Sequence, residues 1–335
     1  MLPLVHINLY AVVLVVGGGD STPGGSTGGG GDSNPGGSDS GTGGGDNPSV
    51  DMCSADLYPG QPVSNTRVAP GTGIGAHAQT GTKMCSPGDV DSNGVPDLVI
   101  AANGVGLGAL LVVLLNEDMS VKSYTKLESG AGFDIRMSTA GKLGESLAAL
   151  GDLDGDGVGE FMVAVTVPLT LYVVFLNPDG SSKNVVVLTN LPSGYGRFKM
   201  IPDDFAHGMS GVGDMDGDGL GDVAIGAGRA EVGGAFRLLF MNADGTGKED
   251  VLVDPPESVD KWDAFGQEIT RLGDLDGDGV PELAVSAPQH NSVHIVSLDK
   301  AAGSGNGAKR SIMSKEWRVV VGSQGWDGMT SLAAV

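Results

Sequence analysis

The chain has 335 residues, a formal net charge of −22 and 58 glycines, and this length accommodates one or two domains. The acidic balance argues against binding to nucleic acid, whose phosphates require a basic surface. Hydrophobic residues make up 40% of the chain and aromatic residues only 5%, which is sufficient for a core built from short strands.

Residues 1–16, MLPLVHINLYAVVLVV, form an apolar run at the start of the chain. The run is shorter than the roughly 20 residues of a membrane-spanning helix, so we expect no membrane span. Its length suits the apolar region of a signal peptide. However, no Lys or Arg precedes Arg67 and no A-x-A site follows, so the signal is weak, and a truncated start is the alternative. We expect an extracellular or cell-surface location.

Residues 17–50 are rich in Gly and Ser. This composition cannot bury enough apolar surface to offset the entropy lost on ordering, so it predicts a disordered linker. An entry segment, residues 51–72, then leads into the repeats at residues 73–335. The two cysteines are Cys53 and Cys85. They could form a disulfide in an oxidising compartment or remain free thiols, and the sequence leaves both open.

Four copies of one motif follow, GDVDSNGVPDLVIAA, GDLDGDGVGEFMVAV, GDMDGDGLGDVAIGA and GDLDGDGVPELAVSA. They begin at Gly88, Gly151, Gly213 and Gly273, so the spacings are 63, 62 and 60 residues. A near-constant period of this size indicates one supersecondary unit repeated along the chain. The predicted units are about 73–130, 143–190, 205–253 and 264–321, with a partial unit at 326–335.

In each motif the first Gly is followed by a nine-residue acidic loop, whose positions are numbered from the Asp after that Gly. Positions 1, 3 and 5 are Asp or Asn, position 6 is Gly, and position 9 is Asp or Glu. Short carboxylates at alternate positions of a curled loop direct their oxygens at one centre, and they repel one another unless a cation neutralises them. Ca²⁺ accepts about six to eight oxygen ligands in flexible geometry. The sequence therefore predicts up to four Ca²⁺ ions, with the carbonyl of position 7 as a further ligand. The predicted ligands are Asp89, Asp91, Asn93, Val95 and Asp97; Asp152, Asp154, Asp156, Val158 and Glu160; Asp214, Asp216, Asp218, Leu220 and Asp222; and Asp274, Asp276, Asp278, Val280 and Glu282.

Two alternatives compete with this interpretation. An EF-hand loop begins in the same way but requires a bidentate Glu at position 12. Position 12 is apolar in all four copies, namely Ile100, Val163, Ile225 and Val285, so the EF-hand is excluded. The other alternative is a solvated Asp-Gly turn between strands, which four loops in register make less favourable.

The pattern around each loop predicts four short strands. One strand leads into the acidic loop and a second follows it, as in DLVIAA from Asp97. A third apolar run, such as ALLVVLL from Ala109, precedes an Asn/Asp/Gly turn and a fourth strand. Asx-Gly turns between apolar runs are hairpin signals. Repeated four-stranded antiparallel units predict an all-β fold, a β-propeller whose blades are these units. Both turns of a blade should lie at the same end.

The fourth copy, with Phe265-Gly266, GDLDGDG and Ser286-Ala287-Pro288, resembles the FG-GAP repeat of the integrin α-subunit propeller. The third copy carries Phe205-Ala206, and the first lacks a clear Phe-Gly pair. The resemblance covers roughly residues 73–335. It implies a seven-bladed propeller with structural Ca²⁺, so we expect this chain to be a fragment containing four blades and the first strand of a fifth. A small self-closed propeller is the alternative.

The resemblance implies a calcium-stabilised extracellular module for protein interaction or cell adhesion, with a protein or glycan ligand or a partner subunit. The alternative is a non-catalytic propeller of a secreted hydrolase or lyase whose catalytic part lies outside this chain. The sequence shows no G-x-S-x-G, P-loop or Cys/His zinc motif. We interpret the histidines, such as His290 and His294, as ordinary loop and strand residues, and we expect no catalysis.

Overall fold

The computed structural model describes residues 80–103, 107–130, 133, 135, 142–166, 169–188, 205–228, 234–257, 259–260, 263–290, 292–298 and 313–320. The predicted signal peptide, linker and entry segment lie outside these residues. The predicted first strand of a fifth blade, at 326–335, also lies outside them.

The described residues form sixteen β-strands, which group into four sheets of four. In chain order the strands are β1 (Thr80–Gly88), β2 (Asp97–Ala102), β3 (Ala109–Leu115), β4 (Val121–Leu127), β5 (Leu143–Gly151), β6 (Glu160–Thr166), β7 (Leu169–Leu176), β8 (Ser182–Leu188), β9 (Phe205–Gly213), β10 (Asp222–Ala227), β11 (Ala235–Met241), β12 (Gly247–Val253), β13 (Ile269–Gly273), β14 (Glu282–Ala287), β15 (Ser292–Leu298) and β16 (Met313–Val320). The prediction of an all-β fold is confirmed.

Each sheet is an antiparallel meander in which the strands pair in sequence order, from β1-β2-β3-β4 in blade 1 to β13-β14-β15-β16 in blade 4. The first strands of consecutive blades are neighbours, so β1, β5, β9 and β13 line the centre of the assembly. The ammonium of Lys83 in β1 also lies 2.5 Å from a carboxylate oxygen of Glu268, just before β13. The four sheets are therefore the blades of a β-propeller, and the predicted four-stranded antiparallel blades are confirmed. The described residues form four blades, and the expected fifth blade lies outside them.

Apolar layers between consecutive blades form the core. In blades 2 and 3, both faces of the second and third strands are apolar because each of these blades packs against a neighbour on each side. The interface between blades 1 and 2 includes Val112 and Phe161, and the interface between blades 2 and 3 includes Val173 and Leu239. Blades 3 and 4 bury Phe236 against Val285 and their neighbours. This explains the apolar runs without alternation.

One backbone position of every blade requires a left-handed conformation. It lies seven residues before the last Gly of the first strand, at Gly81, Gly144, Ala206 and Gly266, with φ of 94°, 83°, 64° and 85°. At Gly266 a Cβ would also lie 2.5 Å from the carbonyl oxygen of Ala235. Glycine tolerates both constraints. The Phe-Gly signature is therefore a backbone requirement, which Gly81 meets in the first blade without a preceding Phe.

In the second and third acidic loops, the glycine at position 8 lets consecutive blades approach each other closely. A Cβ on Gly159 would lie 1.8 Å from the carbonyl oxygen of Pro87, and one on Gly221 would lie 1.9 Å from that of Leu150. Each of these carbonyls belongs to the preceding blade, at the end of its first strand. An acidic loop thus packs its backbone directly on its neighbour, and a change in loop conformation also disturbs the blade interface.

Blade 4 differs from the predicted pattern in its first strand. Strand β13 begins at Ile269, because Phe265 forms an isolated parallel bridge with Gly234 of the preceding blade. Residues 264 and 266 both have positive φ, which interrupts the regular strand. The fourth strand is Met313–Val320, which follows a stretch outside the described residues. A short 3-10 turn, Pro288–His290, was not expected from the pattern.

Candidate metal centres

The carboxylate at position 1 curls each acidic loop by accepting backbone N–H groups from within the loop. In loop 2 (residues 152–160), Asp152 accepts hydrogen bonds from the amides of Gly155, Asp156 and Gly157 at 2.8–3.1 Å. Asp214 in loop 3 (residues 214–222) and Asp274 in loop 4 (residues 274–282) make equivalent bonds. The loop is thus formed by its own first side chain.

Loop 1 (residues 89–97) shows the same plan with an amide at position 5. Asp89 accepts from the amides of Asn93 and Gly94. The side chain of Asn93 accepts from Val95 N and donates to the carbonyl of Leu115 at 2.7 Å. The other loops have Asp at position 5, and its Oδ1 accepts from the amide of position 7. One oxygen of position 5 is therefore used by the loop backbone.

The acid at position 9 is the first residue of the second strand and is almost entirely buried. Asp97, Glu160 and Glu282 are 0% exposed and Asp222 is 1% exposed. Each accepts a hydrogen bond from the amide of loop position 2, at 2.6–2.8 Å. These carboxylates therefore connect the start of the loop to the first residue of the second strand.

Aspartate and glutamate at position 9 differ in their second oxygen. Asp97 also accepts from Leu115 N, and Asp222 accepts from Met241 N, so both aspartates use both oxygens on backbone amides. By contrast, Oε1 of Glu160 and Oε1 of Glu282 are buried and have no hydrogen-bond partner in the part of the chain that the structure describes.

Burial raises the pKa of the position 9 acids in loops 1, 2 and 3. Desolvation raises the pKa of Glu160 and that of Asp222 to about 7, and nearby loop carboxylates raise them further. The same cause raises the pKa of Asp97, against the lowering effect of its two backbone hydrogen bonds. These sites therefore favour a cation that would restore the ionised form.

The structure brings three carboxylates together in every loop, with one oxygen of each within 4.8 Å of the other two. In loops 1, 2 and 4 the three come from positions 1, 3 and 9, and in loop 3 they come from positions 1, 3 and 5. The four groups are Asp89, Asp91 and Asp97; Asp152, Asp154 and Glu160; Asp214, Asp216 and Asp218; and Asp274, Asp276 and Glu282. Asp156, Asp222 and Asp278 are predicted ligands that lie outside these groups of three.

Three lysines that the sequence analysis missed contact the acidic loops. Lys122 lies 2.7 Å from Asp91, Lys183 contacts Asp154 and Asp156 at 2.7 and 2.5 Å, and Lys248 contacts Asp216 and Asp218 at 2.6 and 2.8 Å. These contacts place the turn between the third and fourth strands at the same end of the blade as the acidic loop.

In loops 2 and 3, these hydrogen bonds shift the pKa of the lysine and that of the acid at position 5. They raise the pKa of Lys183 and of Lys248 above the ordinary range. Conversely, the pKa of Asp156 and that of Asp218 are lowered, chiefly by the lysine hydrogen bonds. A sequence signal existed, because each lysine follows the turn asparagine by six residues in NEDMSVK, NPDGSSK and NADGTGK.

Within the described ranges, the remaining histidines and the cysteine form no comparable group of metal-binding side chains. His294 is buried in β15, with Nε2 3.1 Å from the hydroxyl of Ser292 and its ring edge-on to Phe265. His207 Nδ1 lies 3.5 Å from Glu145. Cys85 is partly buried and carries no disulfide among the described residues, and the second cysteine, Cys53, lies outside them.

The fold and the loops define a class of protein, a β-propeller whose blades each carry one acidic loop between the first and second strands. The comparisons agree, since a family model for the FG-GAP repeat matches residues 268–308. No helix within the described residues is long and apolar enough to cross a membrane.

Known integrin α chains are similar to this chain over part of its length. Integrin alpha-PS5 of Drosophila melanogaster is 32% identical over 166 residues, which covers 43% of this chain and 15% of the relative. Integrin alpha-4 of Xenopus laevis is 29% identical over 158 residues, covering 44% and 14%. Integrin alpha-PS2 of Drosophila melanogaster is 29% identical over 157 residues, covering 42% and 11%. The predicted resemblance to integrin α FG-GAP repeats is thus confirmed, over a small share of those relatives' lengths.

Proposed function

We propose that the four acidic loops bind structural Ca²⁺ and that the chain is a calcium-stabilised, extracellular, non-catalytic interaction module. The proposed ligands are the side chains at positions 1, 3, 5 and 9 of each loop, together with the backbone carbonyl at position 7. The proposed organisation remains a signal segment (1–16), a linker (17–50), an entry segment (51–72) and the propeller repeats (73–335).

The observation that carries the calcium proposal is a set of buried carboxylate oxygens that no group in the described part of the chain satisfies. They are Asp91 Oδ1 in loop 1, Glu160 Oε1 in loop 2 and Glu282 Oε1 in loop 4. A buried, unpaired carboxylate oxygen is costly. Each belongs to a group of three acids whose oxygens lie within 4.8 Å of one another. A bound cation would satisfy these oxygens and offset the mutual repulsion.

The donor set favours Ca²⁺ over a softer or smaller ion. All the proposed ligand atoms are oxygens, and neither His nor Cys belongs to any of the four groups. Ca²⁺ accepts an irregular shell of oxygens, whereas Mg²⁺ requires near-octahedral geometry and retains several waters. When bound, the ion would supply the positive charge that holds the first strand, the loop and the second strand of a blade together.

Similarity to integrin α chains supports an extracellular location and a role in adhesion or protein interaction. In this proposal the propeller recognises an extracellular protein or glycan, or assembles with a partner subunit. The loops between blades, at the end opposite the acidic loops, would provide the recognition surface.

Calorimetry of the full chain tests the calcium proposal. Ca²⁺ should bind with up to four sites per chain, and thermal unfolding should occur at a lower temperature in EGTA than in Ca²⁺, because an ion bound only by the folded state stabilises it. Mg²⁺ at the same concentration should stabilise less. Absence of binding heat together with an unchanged melting temperature would refute the proposal.

A further inference from the structure

Lys122, Lys183 and Lys248 occupy one structural position in blades 1, 2 and 3. Each is the second residue of the fourth strand, where the pairing register shifts. In blade 2, for example, Leu176 pairs with Ser182 and Phe175 pairs with Asn184, so Lys183 is the extra residue of a bulge. A β-bulge redirects its side chain out of the regular alternation. The fold therefore aims these lysines at the acidic loop.

The lysine contacts involve the same carboxylates that are proposed as calcium ligands. Lys183 Nζ donates to Oδ2 of Asp154 and to Oδ2 of Asp156, at positions 3 and 5 of loop 2. Lys248 Nζ makes the same pair of bonds to Asp216 and Asp218 in loop 3. In loop 1, where position 5 is Asn93, Lys122 Nζ donates to position 3 alone, at Oδ2 of Asp91. The number of lysine contacts follows the number of acids.

A cation that is covalently tethered to the blade competes with a cation from solution. The ammonium offsets part of the repulsion among the loop carboxylates when no metal is bound. A bound Ca²⁺ must either share those carboxylates with a positive charge a few ångströms away or displace that charge, and both costs weaken its binding. The lysine stem is flexible, and the three lysine side chains are 37–46% exposed. The ammonium can therefore withdraw to solvent when an ion arrives.

We propose that Lys122, Lys183 and Lys248 set the calcium affinity of loops 1 to 3, by acting as built-in counter-cations that support the metal-free loops and oppose Ca²⁺ binding. This inference rests on the proposed calcium sites. It means that a substitution at one of these lysines changes the calcium affinity of a loop while the calcium ligands stay the same. The residues are affinity-determining and would not ligate the ion.

The test uses the full chain with Lys183→Met, which keeps the apolar stem and removes the charge, and with the triple variant Lys122→Met/Lys183→Met/Lys248→Met. Calcium titration against a competing chelator should show that affinity at each altered loop rises by about tenfold, as expected for the loss of one or two partly exposed ion pairs. In EGTA the melting temperature should fall, and in saturating Ca²⁺ it should remain near that of the unaltered chain. The opposite signs of the first two effects are the signature of a counter-cation.

Two controls separate charge from packing. Lys183→Arg retains the positive charge and should keep the lower calcium affinity. Lys126→Met removes a lysine of β4 that pairs with Glu128 at 2.5 Å, away from the loop, and should leave calcium affinity unchanged. If the triple variant does not fold, the single variants at Lys122 and Lys248 provide the same measurement.

The outcomes distinguish this inference from the proposal on which it rests. Unchanged or weaker calcium binding in the lysine-to-methionine variants, with normal binding by the unaltered chain, would overturn the counter-cation role alone. Failure of the unaltered chain to bind Ca²⁺ would overturn both. A rise in affinity for Lys183→Arg equal to that for Lys183→Met would also contradict the charge-based explanation.

Discussion

Two kinds of acidic loop alternate along the chain, and they differ by one methylene group. Loops 1 and 3 place aspartate at position 9 and loops 2 and 4 place glutamate there, and all four acids are at most 1% exposed. The aspartates use both oxygens on backbone amides, whereas Glu160 and Glu282 each leave one buried oxygen without a partner among the described residues. The aspartates therefore use both oxygens to join the loop to the sheet, whereas the glutamates keep one buried oxygen that the proposed ion would bind.

The largest expected loss of stability comes from removing the aspartate at position 9 of loop 3. Asp222→Ala leaves two buried amides, Met215 N and Met241 N, without their acceptor. Each such loss costs about 1–3 kcal/mol, so the free energy of unfolding in EGTA should fall by about 2–6 kcal/mol for the pair. Glu160→Ala removes the acceptor of one amide, Leu153 N, and should cost about half as much.

Denaturant unfolding in EGTA measures both variants, with Glu117→Ala, an exposed acid of a turn, as the matched control. If Asp222→Ala and Glu160→Ala lost equal stability, the second hydrogen bond of Asp222 would contribute nothing and the distinction between the two loop types would fail.

The next effect appears only with calcium. Glu160→Gln keeps an oxygen that accepts a hydrogen bond from Leu153 N. It removes the negative charge and replaces the unpartnered oxygen, Oε1, with an amide nitrogen. We expect the number of bound Ca²⁺ ions to fall by one, with little change in EGTA. The calcium-dependent stabilisation should fall by about 2.7 kcal/mol when free Ca²⁺ is 100 times the dissociation constant. Isothermal titration measures the stoichiometry, and an unaltered stoichiometry and affinity would exclude Glu160 as a ligand.

The sequence predicted the features that repeat locally. The register of the four motifs gave the loops, the strands and the four-stranded blades, because hydrophobic pattern and turn residues are properties of neighbouring positions. It also predicted the acids that the structure brings together, such as Asp152, Asp154 and Glu160. The hydrogen bond of the second carboxylate oxygen at position 9 was not predictable. Its donors, the amides of Leu115 and Met241, lie 18 and 19 residues after Asp97 and Asp222 in the chain.

Contacts between distant segments account for the other omissions. Lys183 reaches Asp154 across 29 residues, and Lys83 reaches Glu268 across 185. The first is visible as the recurring N-x-D-x-x-x-K pattern once the turns are aligned. The second has no counterpart in a repeat, because it joins the first blade to the fourth. It depends on how many blades surround the centre, which local sequence does not specify.

A smaller effect concerns pH and the metal-free protein. Burial raises the pKa of Glu160 from 4.5 to about 7 and that of Asp222 from 3.8 to about 7. The folded state then binds more protons than the unfolded state between these values, so the free energy of unfolding in EGTA should decrease as pH rises from about 4 to about 7. In saturating Ca²⁺ the trend should reverse, because the ion binds the ionised acids. Thermal unfolding across this range checks both slopes, and identical slopes with and without Ca²⁺ would contradict the assignment of these acids to the ion.

The smallest effect comes from exchanging the two acids. Asp222→Glu should preserve the bond from Met215 N, as Glu160 does with Leu153 N, and release the second oxygen from Met241 N. Loop 3 would then have a carboxylate oxygen without a hydrogen-bond donor, like Oε1 of Glu160 in loop 2 and of Glu282 in loop 4, and the proposed ion could bind it. We expect a severalfold rise in its calcium affinity, and a loss of about 1 kcal/mol in EGTA from the broken hydrogen bond. The reciprocal change, Glu160→Asp, should lower the affinity of loop 2. If both exchanges shifted calcium affinity in the same direction, the length of the acid would not be what separates the loops, and the lysines and blade contacts around each loop would have to account for any difference in their affinities.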